Sequence, residues 1–195
     1  MRGKLILTDR FQRGFALAFE LHRRQKRKGT DIPYVSHLLA VASLVLEDGG
    51  DEDEAIAALL HDTVEDQGGR ATSDRIRSEF GDRVANIVDA CSDSETIPKP
   101  PWRARKEAYL AHLSTETRPE VLRVSAADKL HNARCILADY RRVKESVWKR
   151  FNAPKKEIAW YYTQLARTYP ESGVSDFLRR PLIEAAEQIA QIAAK

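Results

Sequence analysis

The sequence predicts an all-α protein of about eight to ten helices, and three observations carry that expectation. Apolar residues recur at three- and four-residue spacing along most of the chain. No stretch alternates apolar and polar residues as a half-buried strand would. Clusters of Gly, Pro and Asp separate the periodic segments.

The elements follow in order. Thr8-Asp9 supplies a helix start, and Phe11, Phe15, Ala18, Phe19 and His22 recur behind it at helical spacing. Gly29-Thr30-Asp31-Ile32-Pro33 breaks that helix. A second is expected from about Tyr34 to Leu46, ending at Asp48-Gly49-Gly50. A third is expected from Asp51 to about Asp66, stopping before Gly68-Gly69, and its acidic first turn suits the positive end of the helix dipole. Thr72 to Phe80 and Asp82 to Ser92 predict two short helices around Gly81, and Ser92 to Pro101 a polar, Pro-bearing loop. A helix from Trp102 to about Thr115 comes next. Pro119 then opens a long helix through Val124, Ala127, Leu130, Ala133, Leu137 and Tyr140, because the first turn does not need the N–H that proline lacks. Helices over about Pro154 to Tyr169 and Arg180 to Ala194 close the chain. No repeat, low-complexity tract or linker interrupts it, so one domain over 1–195 is expected, with a core over about 10–165 and closing helices over 166–195.

A hydrophobic fraction of 43% with 31% charged residues is that of a globular protein, and no apolar run approaches the roughly 18 residues of a membrane span. Leu5-Ile6-Leu7, behind Met1-Arg2-Gly3-Lys4, is too short for a signal-peptide core, so a cytoplasmic protein with no membrane partner is expected. Cys91 and Cys135 are expected as reduced, small core residues. A net charge of +3 is too weak to argue for nucleic acid and the basic segment carries no base-stacking aromatics, so no nucleic-acid partner is expected, while a homo-oligomer stays open. The run His22-Arg23-Arg24-Gln25-Lys26-Arg27-Lys28 suits either a solvated helix end or a phosphate clamp.

The chemistry concentrates in His61-Asp62-Thr63-Val64-Glu65-Asp66, directly behind the apolar run Ala55 to Leu60. On one continuous helix, His61 and Glu65 are i,i+4 neighbours, as are Asp62 and Asp66. Burying such groups costs several kcal/mol each unless something pairs with them, and a divalent cation pairs with imidazole and carboxylate together. His61 and Asp62 supply two ligands. His37, on an apolar helix, is the best further nitrogen, and Asp128, amid small apolar residues in mid-helix, the best further oxygen. Two histidines and two carboxylates suit Mn²⁺, Fe²⁺ or Zn²⁺ better than Ca²⁺. Asn132 lies i+4 from Asp128 on the same face; His131 reads equally well as a supporting or a structural residue. His22 and His112 are expected on the surface.

The pattern His37, His61-Asp62 and Asp128 resembles the HD-domain phosphohydrolase superfamily. Pro33-Tyr34-x-x-His37, His61 to Asp66, Ala127-Asp128-Lys129-Leu130-His131-Asn132, Gln25-Lys26-Arg27-Lys28 and Glu79-Phe80-Gly81 resemble, more narrowly, the hydrolase domain of RelA/SpoT-type alarmone enzymes. That resemblance implies an HD-domain helical bundle and a stand-alone small alarmone hydrolase. It implies Mn²⁺, or another divalent transition metal, held by His37, His61, Asp62 and Asp128. It implies catalytic roles for Glu65 and Asp66, and a guanine nucleotide bound by Arg27, Lys28 and Asn132. The reaction implied is removal of the 3′-pyrophosphate of guanosine tetra- or pentaphosphate. Leu38 stands where the family commonly has Pro, and Asp93-Ser94-Glu95-Thr96 carries an acid where some relatives have Lys. The rival expectations are an HD phosphohydrolase acting on another nucleotide, such as NADPH or a deoxynucleotide, and a nucleotide-binding module without turnover.

Overall fold

The computed structural model describes residues 6–92, 100–169 and 173–195, which fall into two helical units, 1–95 and 96–195. Ten α-helices and one 3-10 helix are found among the described residues, and the all-α expectation holds. The stretch Asp93-Ser94-Glu95-Thr96 lies outside those residues.

In the first unit α1 is Asp9–His22, α2 Val35–Glu47, α3 Glu52–Leu60, α4 Thr63–Asp66, α5 Gly69–Phe80 and α6 Asp82–Cys91. Helix α3 is its centre: every residue from Ala55 to Leu60 is fully buried, and α1, α2 and α6 pack around it. A capping box starts α3, with the Asp51 side chain accepting from Glu54 N at 3.0 Å and Glu54 Oε2 accepting from Asp51 N at 2.6 Å. Thr8 caps α1 and is itself tied to α3, its Oγ1 donating to Glu52 Oε1 at 2.8 Å. Gly14 lets α1 approach α3 closely, since a Cβ there would stand 3.0 Å from Cγ2 of Ile56. Gly81, at φ 92°, makes the sharp link between α5 and α6.

In the second unit α7 is Trp102–Thr115, α8 Pro119–Val143, α9 Lys155–Thr168 and α10 Asp176–Ala193, with the 3-10 helix over Lys144–Arg150. Helix α8 packs against α10 and the 3-10 helix, α10 also against α9, and α9 against α7. Pro119 opens α8 as expected, while Glu116 accepts from Thr117 N and Arg118 N, each at 2.9 Å, in the turn before it. Lys144, at φ 50°, ends α8.

Several sequence expectations need correction. The third helix is not continuous to Asp66; it stops at Leu60 and α4 restarts at Thr63, so His61 and Asp62 form the joint. Helix α5 begins at Gly69 rather than Thr72, because Gly68 at φ 131° turns the chain into it at once. Helix α10 begins at Asp176, capped by Ser175, and carries Pro181 inside, where the expected start at Arg180 had kept proline in the first turn. The 3-10 helix was not anticipated. On α1 the buried face is Gly14, Leu17, Ala18 and His22, while Phe19 is exposed. His22 is therefore buried, not a surface residue, whereas His112 is exposed.

Candidate metal centre

The joint between α3 and α4 presents His61 and Asp62, and the first turn of α2 brings His37 to them. The two imidazole rings stand 5.1 Å apart between centroids at 69°. His61 Nε2 lies 3.1 Å and His37 Nε2 3.5 Å from the same oxygen, Asp62 Oδ2. Both histidines are buried and Asp62 is half-buried. His61 Nδ1 is 2.8 Å from the carbonyl oxygen of Ala58, which can only accept, so Nδ1 carries the proton and donates it. Nε2 is then the lone-pair nitrogen, and it is the one that stands beside Asp62. Two imidazole nitrogens and one carboxylate oxygen are thus gathered in the chemistry of a divalent transition-metal site, with the tautomer of one ligand already fixed from behind. His37, His61 and Asp62 fit such an ion.

Tyr34 binds this group together. Its hydroxyl donates to Asp62 Oδ2 at 2.5 Å, and its ring stacks on His22 at 5.2 Å and meets His37 edge-on at 5.5 Å. The Arg27 guanidinium lies 5.5 Å from the centroid of that same ring. The basic segment is held against the start of α2 by the bridge Lys26–Pro33 and by Tyr34 N donating to Gln25 O at 2.9 Å. Asp66, exposed at the end of α4, accepts from Gln25 Nε2 at 2.9 Å. Glu65 is half-buried on α4, Arg27 half-buried and Lys28 exposed. Burial pushes the His22 imidazole below its ordinary value, against the pull of its Gln25 hydrogen bond and of the Asp62 and Asp66 charges.

In the second unit Asp128 is buried in mid-α8. It accepts from Lys129 Nζ at 2.5 Å and from Asn132 Nδ2 at 2.6 Å, so Asn132 orients this carboxylate. Lys129 also lies 4.8 Å from the Tyr109 ring centroid. Beside them runs a buried hydroxyl chain, Tyr109 to Ser125 at 2.5 Å and Ser125 to Tyr169 at 2.6 Å, and burial raises the Tyr169 phenol well above its ordinary value.

Of the residues singled out from sequence, His37, His61 and Asp62 meet directly, Asp66 is reached through Gln25, and Arg27 through Tyr34. Sequence reasoning missed His22, Gln25 and Tyr34 as members of the network. The signal for Tyr34 was its i,i+3 spacing to His37; for His22 it was a place on the core stripe four residues after Ala18.

Residues 14–159 match the HD domain, and the chain belongs to the HD-domain family. Within it, the chain is 37% identical over 134 residues to the guanosine-3′,5′-bis(diphosphate) 3′-pyrophosphohydrolase MESH1 of Xenopus tropicalis, covering 67% of this chain and 69% of that protein. It is also 37% identical over 129 residues to the guanosine-3′,5′-bis(diphosphate) 3′-pyrophosphohydrolase of Aquifex aeolicus, of whose length it spans only 18%. Among solved structures, a metazoan ortholog of SpoT that hydrolyses ppGpp shares the fold, with a TM-score of 0.76, 22% identity, 95% of this chain and 98% of that one covered. No helix among the described residues is long and apolar enough to cross a membrane.

Proposed function

We propose that this protein is a cytoplasmic, metal-dependent phosphohydrolase that removes the 3′-pyrophosphate from guanosine tetra- or pentaphosphate, giving GDP or GTP and pyrophosphate. The observation that carries this reading is the convergence of His37 Nε2 and His61 Nε2 on Asp62 Oδ2, at 3.5 Å and 3.1 Å. The frog and Aquifex relatives, named for this activity, support the choice of substrate. The match over residues 14–159 crosses from one helical unit into the other and supports reading 1–195 as one hydrolase domain.

His37, His61 and Asp62 would hold a Mn²⁺ ion, with Asp128 as the further ligand that the HD pattern supplies. Bound there, such an ion lowers the pKa of water toward neutrality and draws charge from the phosphoryl oxygens. The chain's own residues do the rest. Glu65 and Asp66 orient the attacking water and take its proton. The water oxygen bonds to the phosphorus that is linked to the ribose 3′ oxygen, that P–O bond breaks, and the 3′ oxygen leaves with the proton that the carboxylates took from the water. Arg27 and Lys28 hold the nucleotide and offset its negative charge, and Asn132 adds a neutral contact. Tyr34 keeps Asp62 oriented through its hydroxyl.

The test is incubation of purified protein with guanosine tetraphosphate and Mn²⁺, with quantitation of pyrophosphate and GDP. Stoichiometric release of both is expected, and none from an Asp66→Asn variant that still binds metal. Turnover of NADPH or a deoxynucleotide, with the tetraphosphate untouched, would replace this substrate with another inside the family.

A further inference from the structure

Gln25 sits where α1 hands over to the basic segment, and both its backbone and its side chain are committed. Its N–H donates to His22 O and its carbonyl accepts from Tyr34 N, both at 2.9 Å, which ties the end of α1 to the start of α2. Its side chain spans a third element. Nε2 donates to Asp66 Oδ2 at 2.9 Å, while Oε1 accepts from Gln67 Nε2 at 2.7 Å and faces His22 Nδ1 at 2.6 Å. The orientation of this amide is determined chemically. An ionised carboxylate only accepts, so the amide nitrogen must face Asp66 and the amide oxygen must face His22. His22 then carries its proton on Nδ1, in a fully buried ring held from the other side by the stacked ring of Tyr34.

We propose that Gln25 is a positioning residue for Asp66, with the buried His22 as its anchor. The claim rests on the reading that Asp66 takes part in the hydrolysis. Asp66 is exposed at the end of a short helix, and the Gln25 amide fixes the direction of one of its carboxylate oxygens. A carboxamide holds it without neutralising it. A lysine or arginine in that place would also orient the carboxylate, but would favour its ionised form and weaken it as a proton acceptor. A neutral donor, itself clamped by two donors on its oxygen, gives orientation without adding a full positive charge beside the carboxylate. The same residue fixes the backbone behind Arg27, so the proposed nucleotide-holding segment and the proposed proton acceptor share one fastening point.

The experiment compares kcat, KM and the pH dependence of kcat for pyrophosphate release by the Mn²⁺-loaded wild type, Gln25→Ala and Gln25→Glu. Gln25→Ala should lower kcat about tenfold with KM within about twofold, the size of one lost hydrogen bond to an ionised group felt at the transition state. Gln25→Glu sets a second carboxylate against Asp66 and should move the acid limb of the kcat profile upward by about one pH unit, a shift that a smaller folded fraction cannot produce. A kcat for Gln25→Ala within twofold of wild type, or an acid limb that stays in place in Gln25→Glu, overturns the proposal while leaving the assigned activity intact. A wild type inactive on the tetraphosphate and on the other nucleotides overturns both.

Discussion

His61 shows how much of a proposed metal ligand is decided behind it. Its Nδ1–H is spent on the Ala58 carbonyl, so the nitrogen left for coordination is the one facing Asp62. Tyr34 does the same for Asp62 through a single hydroxyl. Replacing Tyr34 by Phe keeps the ring that stacks on His22 and removes that bond; Mn²⁺ affinity should fall about tenfold by calorimetry with the circular-dichroism spectrum unchanged. Glu116 carries a residue-scale effect of another kind. Its bonds to the Arg118 side chain, at 2.6 Å and 2.9 Å, hold its carboxyl at about 2 against an ordinary 4.5. Below pH 4.5 the unfolded chain takes up a proton that the folded chain refuses until about pH 2, so this stabilisation is complete above 4.5 and disappears across that window. Urea denaturation midpoints should fall more steeply with acid in wild type than in Glu116→Gln. The sequence made His37, His61 and Asp62 legible because imidazole and carboxylate are costly to bury and so call for a reason. Gln25 and Tyr34 were not legible in these roles, because a neutral amide or a phenol acts only through a neighbour that folding supplies.

At the scale of elements, three helix starts were readable from local chemistry: Thr8 for α1, the acidic first turn behind Asp51 for α3 and Pro119 for α8. The face that each helix buries was harder to read where apolar residues crowd. Phe15, Leu17, Ala18 and Phe19 offer two competing stripes, and only the close approach of α3 selects Leu17 and Ala18 over Phe19. Gly14 makes that approach possible. Gly14→Val should destabilise by about 1–3 kcal/mol, seen as a Tm lower by roughly 2–10 °C, because branched carbons meet Ile56 at helix contact. In an Ile56→Ala background the same change should cost clearly less, since the space it needs has been vacated; equal costs in both backgrounds would deny the contact its role. The break at His61-Asp62 was also hidden, since Leu60 to Asp66 has no Gly or Pro to announce it. An uninterrupted helix would have set His61 and Glu65 on one stripe; the restart at Thr63 instead leaves the donor pair at a joint.

For the molecule as a whole, the proposed ion couples metal binding to stability, because the ligands proposed for it come from separate stretches of chain around residues 37, 61 and 128. An unfolded chain does not hold those groups together, so the ion binds the folded form alone and stabilises it by mass action. With Mn²⁺ at a hundred times its dissociation constant the gain is about 2.7 kcal/mol, which for a chain of this length corresponds to a Tm higher by roughly 5–10 °C than in EDTA. His61→Ala should lose that difference altogether. Asp128→Asn is the more informative variant. Asp128 is buried against Lys129 and Asn132, and an amide of the same size preserves much of that packing while coordinating an ion poorly. If Asp128 is a ligand, the variant's Mn²⁺-induced shift should shrink to a small fraction of the wild-type value at the same ion concentration. A shift equal to that of wild type would confine the metal centre to His37, His61 and Asp62, and would leave Asp128 as the partner of Lys129 within the core of its own helical unit.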